Sequence, residues 1–359
     1  MPMKTDFKPR GLPALIGSLP MDDHPEALRL MDAATPDIPL WIQLPGFAEE
    51  GMMAQFLPGM PAVANEGDKV YVNTADSRFD EEMLAFFEEY MAVTEGAQDI
   101  DESRFALTAE TAAGFFEFLR YLDERKIPPA AVKGQVTGPF TFSTGVVDDE
   151  GRALFYEDQL RDAAVKLIAM KARWQVRQLK KYGVPVIVFL DEPGLAGFGS
   201  SAFISVSREE VDACLGEVID AIHAEGGIAG IHVCANSEWS IVLDSDADIA
   251  SFDAYSFFDK FMLYADSVKR FIAEGGILAW GIVPTSDREA IAKETASSLM
   301  RLWADAFNKV EALGLERSLV LEKSLITPSC GTGSLPLDDA RRVLELTRDL
   351  SAEIRGAMK

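Results

Sequence analysis

His232 and Cys234 stand two residues apart in Gly230-Ile-His-Val-Cys-Ala-Asn236, and Cys330 stands in Thr327-Pro-Ser-Cys-Gly-Thr-Gly333. Each motif closes a short apolar run. Side chains two apart on a strand share a face, so the imidazole and the first thiolate can approach one ion together, with the second thiolate completing a Zn²⁺ ligand set. Three protein ligands leave one coordination position open, the mark of a catalytic rather than a structural zinc. Two thiolates neutralise the dication, so a thiol entering that position can lose its proton yet keep enough electron density to attack carbon. The ion could instead activate water, although hydrolytic sites more often use His and carboxylate ligands.

Other groups end neighbouring runs. Asp191, in Val188-Phe-Leu-Asp-Glu-Pro-Gly194, offers a carboxylate that could hold a substrate ammonium group and take part in catalysis, or else cap a helix or pair with a cation. Gly17 and Ser18, in Leu15-Ile-Gly-Ser-Leu-Pro20, are expected to bind substrate, the glycine admitting a ligand to the backbone and the serine offering a hydroxyl. Gln135-Val-Thr-Gly-Pro-Phe-Thr141 exposes similar groups. Cys214 lies mid-helix by its spacing and reads as core, while His24 and His223 read as structural or surface residues.

The elements that must position these residues follow from periodicity. Short apolar runs at 12–16, 40–44, 131–136, 185–190, 228–233, 249–255, 277–283 and 319–325 alternate with amphipathic stretches. Helices are expected at 155–181, 208–225, 259–274, 286–313 and 338–358. Four of the stretches stop at glycine before the next run, at Gly183, Gly226, Gly275 and Gly314. The expected fold class is α/β, a single (β/α)₈ TIM barrel spanning 1–359 with an insertion between strands 2 and 3, over 45–128. Helices are expected within that insertion around 81–94 and 109–124, and it is either a lid on the catalytic face or an ordinary solvated excursion.

A formal charge of -24 disfavours nucleic acid and anionic membranes as partners. The first ten residues lack the apolar core of a signal peptide, and no stretch approaches the roughly 20 apolar residues of a membrane span. Three cysteines make a disulfide framework improbable, so a cytoplasmic protein with reduced thiols is expected.

Taken together, Ile16-Gly-Ser-Leu-Pro20, Val136-Thr-Gly-Pro139, Leu190-Asp-Glu-Pro193, His232-Val-Cys234 and Pro328-Ser-Cys-Gly331 resemble the catalytic barrel of cobalamin-independent methionine synthase. The wider superfamily includes uroporphyrinogen decarboxylase and corrinoid-dependent thiol methyltransferases. The resemblance runs nearly the whole chain in order. It implies that zinc takes the sulfur of homocysteine while Ser18 and Asp191 hold its amino-acid portion. Two departures stand out. The family's zinc-ligating Glu has no counterpart in register in Asp253-Ala-Tyr-Ser-Phe-Phe258, leaving Asp259, Glu238 or water as substitutes. The Trp on which the family stacks its folate is missing from Phe142-Ser-Thr-Gly-Val-Val147, and the folate-specific N-terminal half of the long enzyme is absent.

These departures favour methylcobalamin, or a methyl-corrinoid protein as partner, over methyl-tetrahydrofolate as donor. The expectation is a zinc-dependent thiol methyltransferase making methionine from homocysteine. The alternatives are transfer to a coenzyme M-like thiol, or a corrinoid- or porphyrin-binding barrel without chemistry.

Overall fold

In the computed structural model, which describes residues 4–66 and 69–357, seven strands form one parallel sheet. They are β1 (Leu12–Pro13), β4 (Val132–Thr137), β5 (Val186–Asp191), β6 (Ile228–Val233), β7 (Ile249–Phe252), β8 (Ile277–Val283) and β9 (Ser324–Pro328). Two further strands, β2 (Val63–Glu66) and β3 (Lys69–Val72), make a separate antiparallel hairpin. The large sheet runs β1-β9-β8-β7-β6-β5-β4 and curls around an inner cluster that includes Leu12, Ile16, Ile187, Phe189, Ile249 and Leu325. Its strands are buried on both faces, which is why they read as continuous apolar runs rather than as alternating ones.

The sheet has two edges, and the segment 40–44 touches both. It meets the extension of β1 through Ser18 and Gln43, and it meets β4 through Leu40 and Lys133. Gln43 N donates to Gly17 O, Leu19 N to Gln43 O, and Lys133 N to Pro39 O. These are isolated bridges, so the second expected strand is corrected to an irregular segment. Pro39 and Pro45 flank it, and neither can donate to a ladder. Pro13 shortens β1 for the same reason, although Ala14 N still reaches Ile326 O.

The outer layer is helical. In chain order its helices are α1 (His24–Ala34), α2 (Phe79–Thr94), α3 (Ala113–Glu124), α4 (Pro139–Gly145), α5 (Asp158–Lys180), α6 (Arg208–Ala224) and α7 (Ser240–Leu243). The remainder are α8 (Ala254–Phe261), α9 (Ala265–Ala273), α10 (Arg288–Lys293), α11 (Ala296–Glu311), α12 (Arg317–Glu322) and α13 (Leu337–Ala357). The expected helix over 259–274 is two helices, and that over 286–313 is also two, because Thr295 caps a fresh start with its hydroxyl on Ser298 N. The expected end of the last helix at Met358 lies outside the described residues. The run 319–325 is corrected as well: Leu319, Val320 and Leu321 belong to α12, and the strand begins at Ser324. Gly183, Gly226, Gly275 and Gly314 all have positive φ, as the helix stops required.

Among the described residues, no helix is long and apolar enough to cross a membrane. The hairpin β2–β3 was not foreseen, because its four-residue strands are mostly exposed and lack a sustained alternation.

Candidate metal centre

β6 carries His232 at its penultimate position and delivers Cys234 one residue past its end. Cys330 arrives two residues beyond β9, across the mouth of the curled sheet. One ligand atom from each of the three residues lies within 4.8 Å of the other two. Among the described residues this is the one such group of potential metal ligands.

The donor set passes a test that proximity alone does not. His232 is 3% exposed; its Nδ1 is hydrogen-bonded to Ser251 Oγ at 2.9 Å, while its buried Nε2 has no partner. A neutral ring that donates from Nδ1 presents a lone pair at Nε2, the tautomer a metal needs. Leaving a buried imidazole nitrogen unpaired is costly unless something binds there. The sulfurs are prepared as well. The closeness of Cys330, and then of His232, holds the Cys234 thiol down at about 4. Cys330, facing Cys234, is pushed well above the ordinary thiol range. A cation bound between the two sulfurs would displace their protons.

The three residues line a cavity of about 320 Å³, together with Asp191, Ser18 and Thr137. Asp191 ends β5 directly beside His232, with which it is in register. Burial pushes its carboxyl up to about 6, against the pull of His232 and Lys133, and its Oδ1 is buried without a partner. Asp191 therefore does not cap a helix. Ser18 lines the same cavity and also positions the metal loop: Gly333 N donates to its Oγ, and Thr332 donates to its carbonyl from both N and Oγ1. Gly331 has to be glycine, since a Cβ there would come within 2.3 Å of Ser18 Oγ.

A Cβ at Gly17 would meet Gln43 Oε1 at 2.9 Å and Gln135 Nε2 at 3.0 Å, so two protein side chains crowd that position.

The Thr137-Gly138-Pro139 and Asp191-Glu192-Pro193 turns form one structure. Glu192 is fully buried and accepts from Phe140 N at 2.9 Å, Thr141 N at 2.8 Å and Thr141 Oγ1 at 2.6 Å. Burial nevertheless pushes its carboxyl up to about 7. A Cβ on Gly138 would fall 2.2 Å from the Glu192 carboxyl carbon, which accounts for the glycine. This clamp fixes Thr137 and Asp191 at adjacent strand ends.

The substitutes for a fourth ligand fall away. Asp259 is exposed and paired with Lys309, and Glu238 accepts from Ser240 Oγ. Asp253 caps α8 through Ser256 N, and its carboxyl is pushed up mainly by burial, with Cys234 adding to it. Sequence reasoning missed several residues: Ser251, which orients the imidazole, and Gln43, Glu50 and Met52, which line the cavity from the segment after 40–44. Glu50 accepts from Leu44 N at 2.8 Å and is paired with His24, so His24 braces the wall of the cavity. No periodic signal marks these loop positions; Ser251, two residues after Ile249 on the same face of β7, is the one that period-2 reasoning could have found. Cys214 is buried within α6, and burial pushes its thiol up to about 12, in keeping with a core role.

Two solved structures are similar to this chain. A vitamin B12-independent methionine synthase from Shewanella sp. W3-18-1, in complex with selenomethionine, aligns over 68% of this chain and 67% of its own, at 18% identity and a TM-score of 0.48. A candidate vitamin B12-independent methionine synthase from Listeria monocytogenes aligns over 94% of this chain and 86% of its own, at 11% identity and a TM-score of 0.50. The second likeness spans almost the whole chain and is one of fold. No protein-family model matches the chain, and no curated protein does.

Proposed function

We propose that this protein is a zinc-dependent methyltransferase that moves a methyl group to the sulfur of a small thiol, with homocysteine as the preferred acceptor and methionine as the product. The observation that carries the reading is the partnerless, buried Nε2 of His232 facing two sulfurs, all within 4.8 Å, at the floor of a cavity. The name of the Listeria monocytogenes protein of like fold supports the same chemistry.

The architecture belongs to the proposal. With the segment 40–44 bridging both sheet edges, the sheet reads as a closed eight-stranded (β/α)₈ barrel spanning the chain, and 45–128 as an insertion that walls its catalytic mouth. Thr137 Oγ1 donates to Met52 O at 2.6 Å, and Gln43 Nε2 donates to Gln55 Oε1, so the insertion is fastened to the strand ends.

His232 Nε2 and the Cys234 and Cys330 sulfurs would hold the ion, with Ser251 fixing the ring. Zinc, when bound, would keep an acceptor thiol deprotonated at neutral pH and so supply the nucleophile. Asp191 would take the acceptor's ammonium group on its free Oδ1, and the Ser18 hydroxyl, whose oxygen already accepts from Gly333 N, would donate to the acceptor's carboxylate. The buried walls exclude water and hold the sulfur for an in-line approach to the methyl carbon, which supplies much of the rate.

The corrinoid donor expected from the sequence gains no support here. The protein of like fold is named vitamin B12-independent, and a cavity of about 320 Å³ suits a small thiol rather than a corrin ring. Any corrinoid, free or on a partner protein, would have to offer its methyl from the rim. The reading is tested with zinc-loaded protein, homocysteine, coenzyme M and mercaptoethanol as acceptors, and methylcobalamin and methyl-tetrahydrofolate as donors. Methionine formed with either donor and lost on metal removal is the expected result. Stoichiometric zinc without methylation of any thiol would leave a binding barrel instead.

A further inference from the structure

One charged group inside the sheet has no role in the reading above. Ala131, just before β4, belongs to the inner cluster and Thr137 at its end lines the metal cavity, so Lys133 and Gln135 between them also point inward. Lys133 is fully buried. Its Nζ donates to Ile16 O at 2.6 Å and to Gln135 Oε1 at 3.2 Å, and it lies 4.4 Å from the centre of the Phe189 ring. All three partners are neutral, so the ammonium is solvated by the protein but not neutralised. Burial pushes it down to about 8, with Asp191 opposing, and it stays cationic at neutral pH.

Its position relates it to the metal centre. Ile16, whose carbonyl it holds, lines the same cavity as His232, Cys234 and Cys330. Phe189, beneath which charge is shared, lies two residues before Asp191, and Asp191 is in register with His232. Lys133 is level with Ile187, two inward positions below Asp191 and His232, and its Nζ reaches up to Gln135 and Phe189, one inward layer below the ligands, in an environment with little water to screen it.

Charge counting shows what that cation can do. A dication on two thiolates and a neutral imidazole carries no net charge, so adding one thiolate makes the cluster an anion in a dry cavity. We propose that Lys133 is a positioning residue, a buried countercation that favours anionic over neutral ligands at the His232–Cys234–Cys330 centre and so draws the acceptor in as a thiolate. The inference rests on the metal-centre reading and extends it to the layer below. A purely structural lysine makes a different forecast: its replacement would change the stability of the fold and leave thiol affinity alone.

The test uses the full chain loaded with cobalt(II), whose visible spectrum reports each ligand that joins it, and compares wild type with Lys133→Met and Lys133→Gln. Each is titrated with mercaptoethanol, which binds as an anion, and with imidazole, which binds neutral. Both variants are expected to bind mercaptoethanol about tenfold or more weakly, with imidazole affinity held within about threefold and thermal stability unchanged or raised. Lys133→Gln keeps a donor for Ile16 O, so a wild-type thiol affinity in that variant would assign the effect to the hydrogen bond and overturn the proposal. Unchanged thiol affinity in Lys133→Met, or a parallel loss of imidazole, would overturn it too. Wild-type protein showing no sulfur-to-cobalt charge-transfer band would remove the metal centre itself, and the countercation with it.

Discussion

Along the inner face of the sheet, the two ends of the same strands differ in chemistry. At the N-terminal ends stand Ile187, Ile228, Ile249, Ile277 and Leu325, all in one apolar cluster. Four residues further along β5 and β6 stand Asp191 and His232, two further along β7 stands Ser251, and two further along β9 stands Thr327. All four carry a buried polar atom that either lacks a partner or serves the imidazole: Asp191 Oδ1, His232 Nε2 and Thr327 Oγ1 have no partner, and Ser251 Oγ is hydrogen-bonded to the ring. The register is regular along β5, β6 and β7 and shifts between Gly281 and Val283 at the upper end of β8, so backbone regularity does not account for the chemical contrast in those three strands. What changes is whether the inward side chains satisfy one another. Lys133 apart, the lower end is apolar and contributes stability, whereas the upper end is left incomplete in a way that a ligand would finish.

The sharpest way to break this comparison is to remove the sulfurs. The pair Cys234→Ser and Cys330→Ser should abolish stoichiometric zinc while leaving the far-ultraviolet circular dichroism intact, since neither residue belongs to the apolar cluster. Loss of fold together with metal would mean that the two ends are not separable. The converse change is Ile249→Ala, which should cost about 3 kcal/mol in denaturant unfolding through the cavity it leaves, with zinc content unchanged.

The Glu192 clamp, which ties two turns of the upper end together, gives a pH signature. Its carboxyl is raised to about 7 in the folded chain from an ordinary value near 4.5, so the folded state holds a proton that the unfolded state has released. Stability from this group is therefore highest below about pH 4.5 and falls by about 2–3 kcal/mol as the pH climbs to 7. Glu192→Gln should lack that fall. Parallel stability–pH curves for the two proteins would contradict the assignment. The mildest change is Ser251→Ala, which frees the ring of His232 and should weaken zinc about 10- to 100-fold in a chelator competition without altering the melting temperature of the metal-free protein. An unaltered zinc affinity would show that the ring is held by other means.

The same contrast explains what could be read from the sequence. β6 and β8 were legible to the residue because they are uninterrupted apolar runs bounded by glycine or polar residues, and both metal motifs were legible because they terminate such runs. The segment 40–44 and β1 were read as full strands, yet prolines at 13, 39 and 45 reduce them to bridges that depend on tertiary closure. The apolar residues of α12 mimicked a strand because a helix of six residues is too short to declare its period. At Gly17 a glycine shows only that something comes close, and the neighbours are Gln43 and Gln135, brought from distant parts of the chain. Glu50 and Met52 reach the cavity from a loop, where no periodicity exists to reveal them.

The central claim is that one imidazole nitrogen and two sulfurs share a zinc ion. Zinc K-edge X-ray absorption on the loaded full-length protein tests it most directly. The account predicts two sulfurs at about 2.3 Å and nitrogen at about 2.0 Å, with a third sulfur appearing when homocysteine is added. A coordination shell of oxygen and nitrogen alone, unchanged by the thiol, would contradict it.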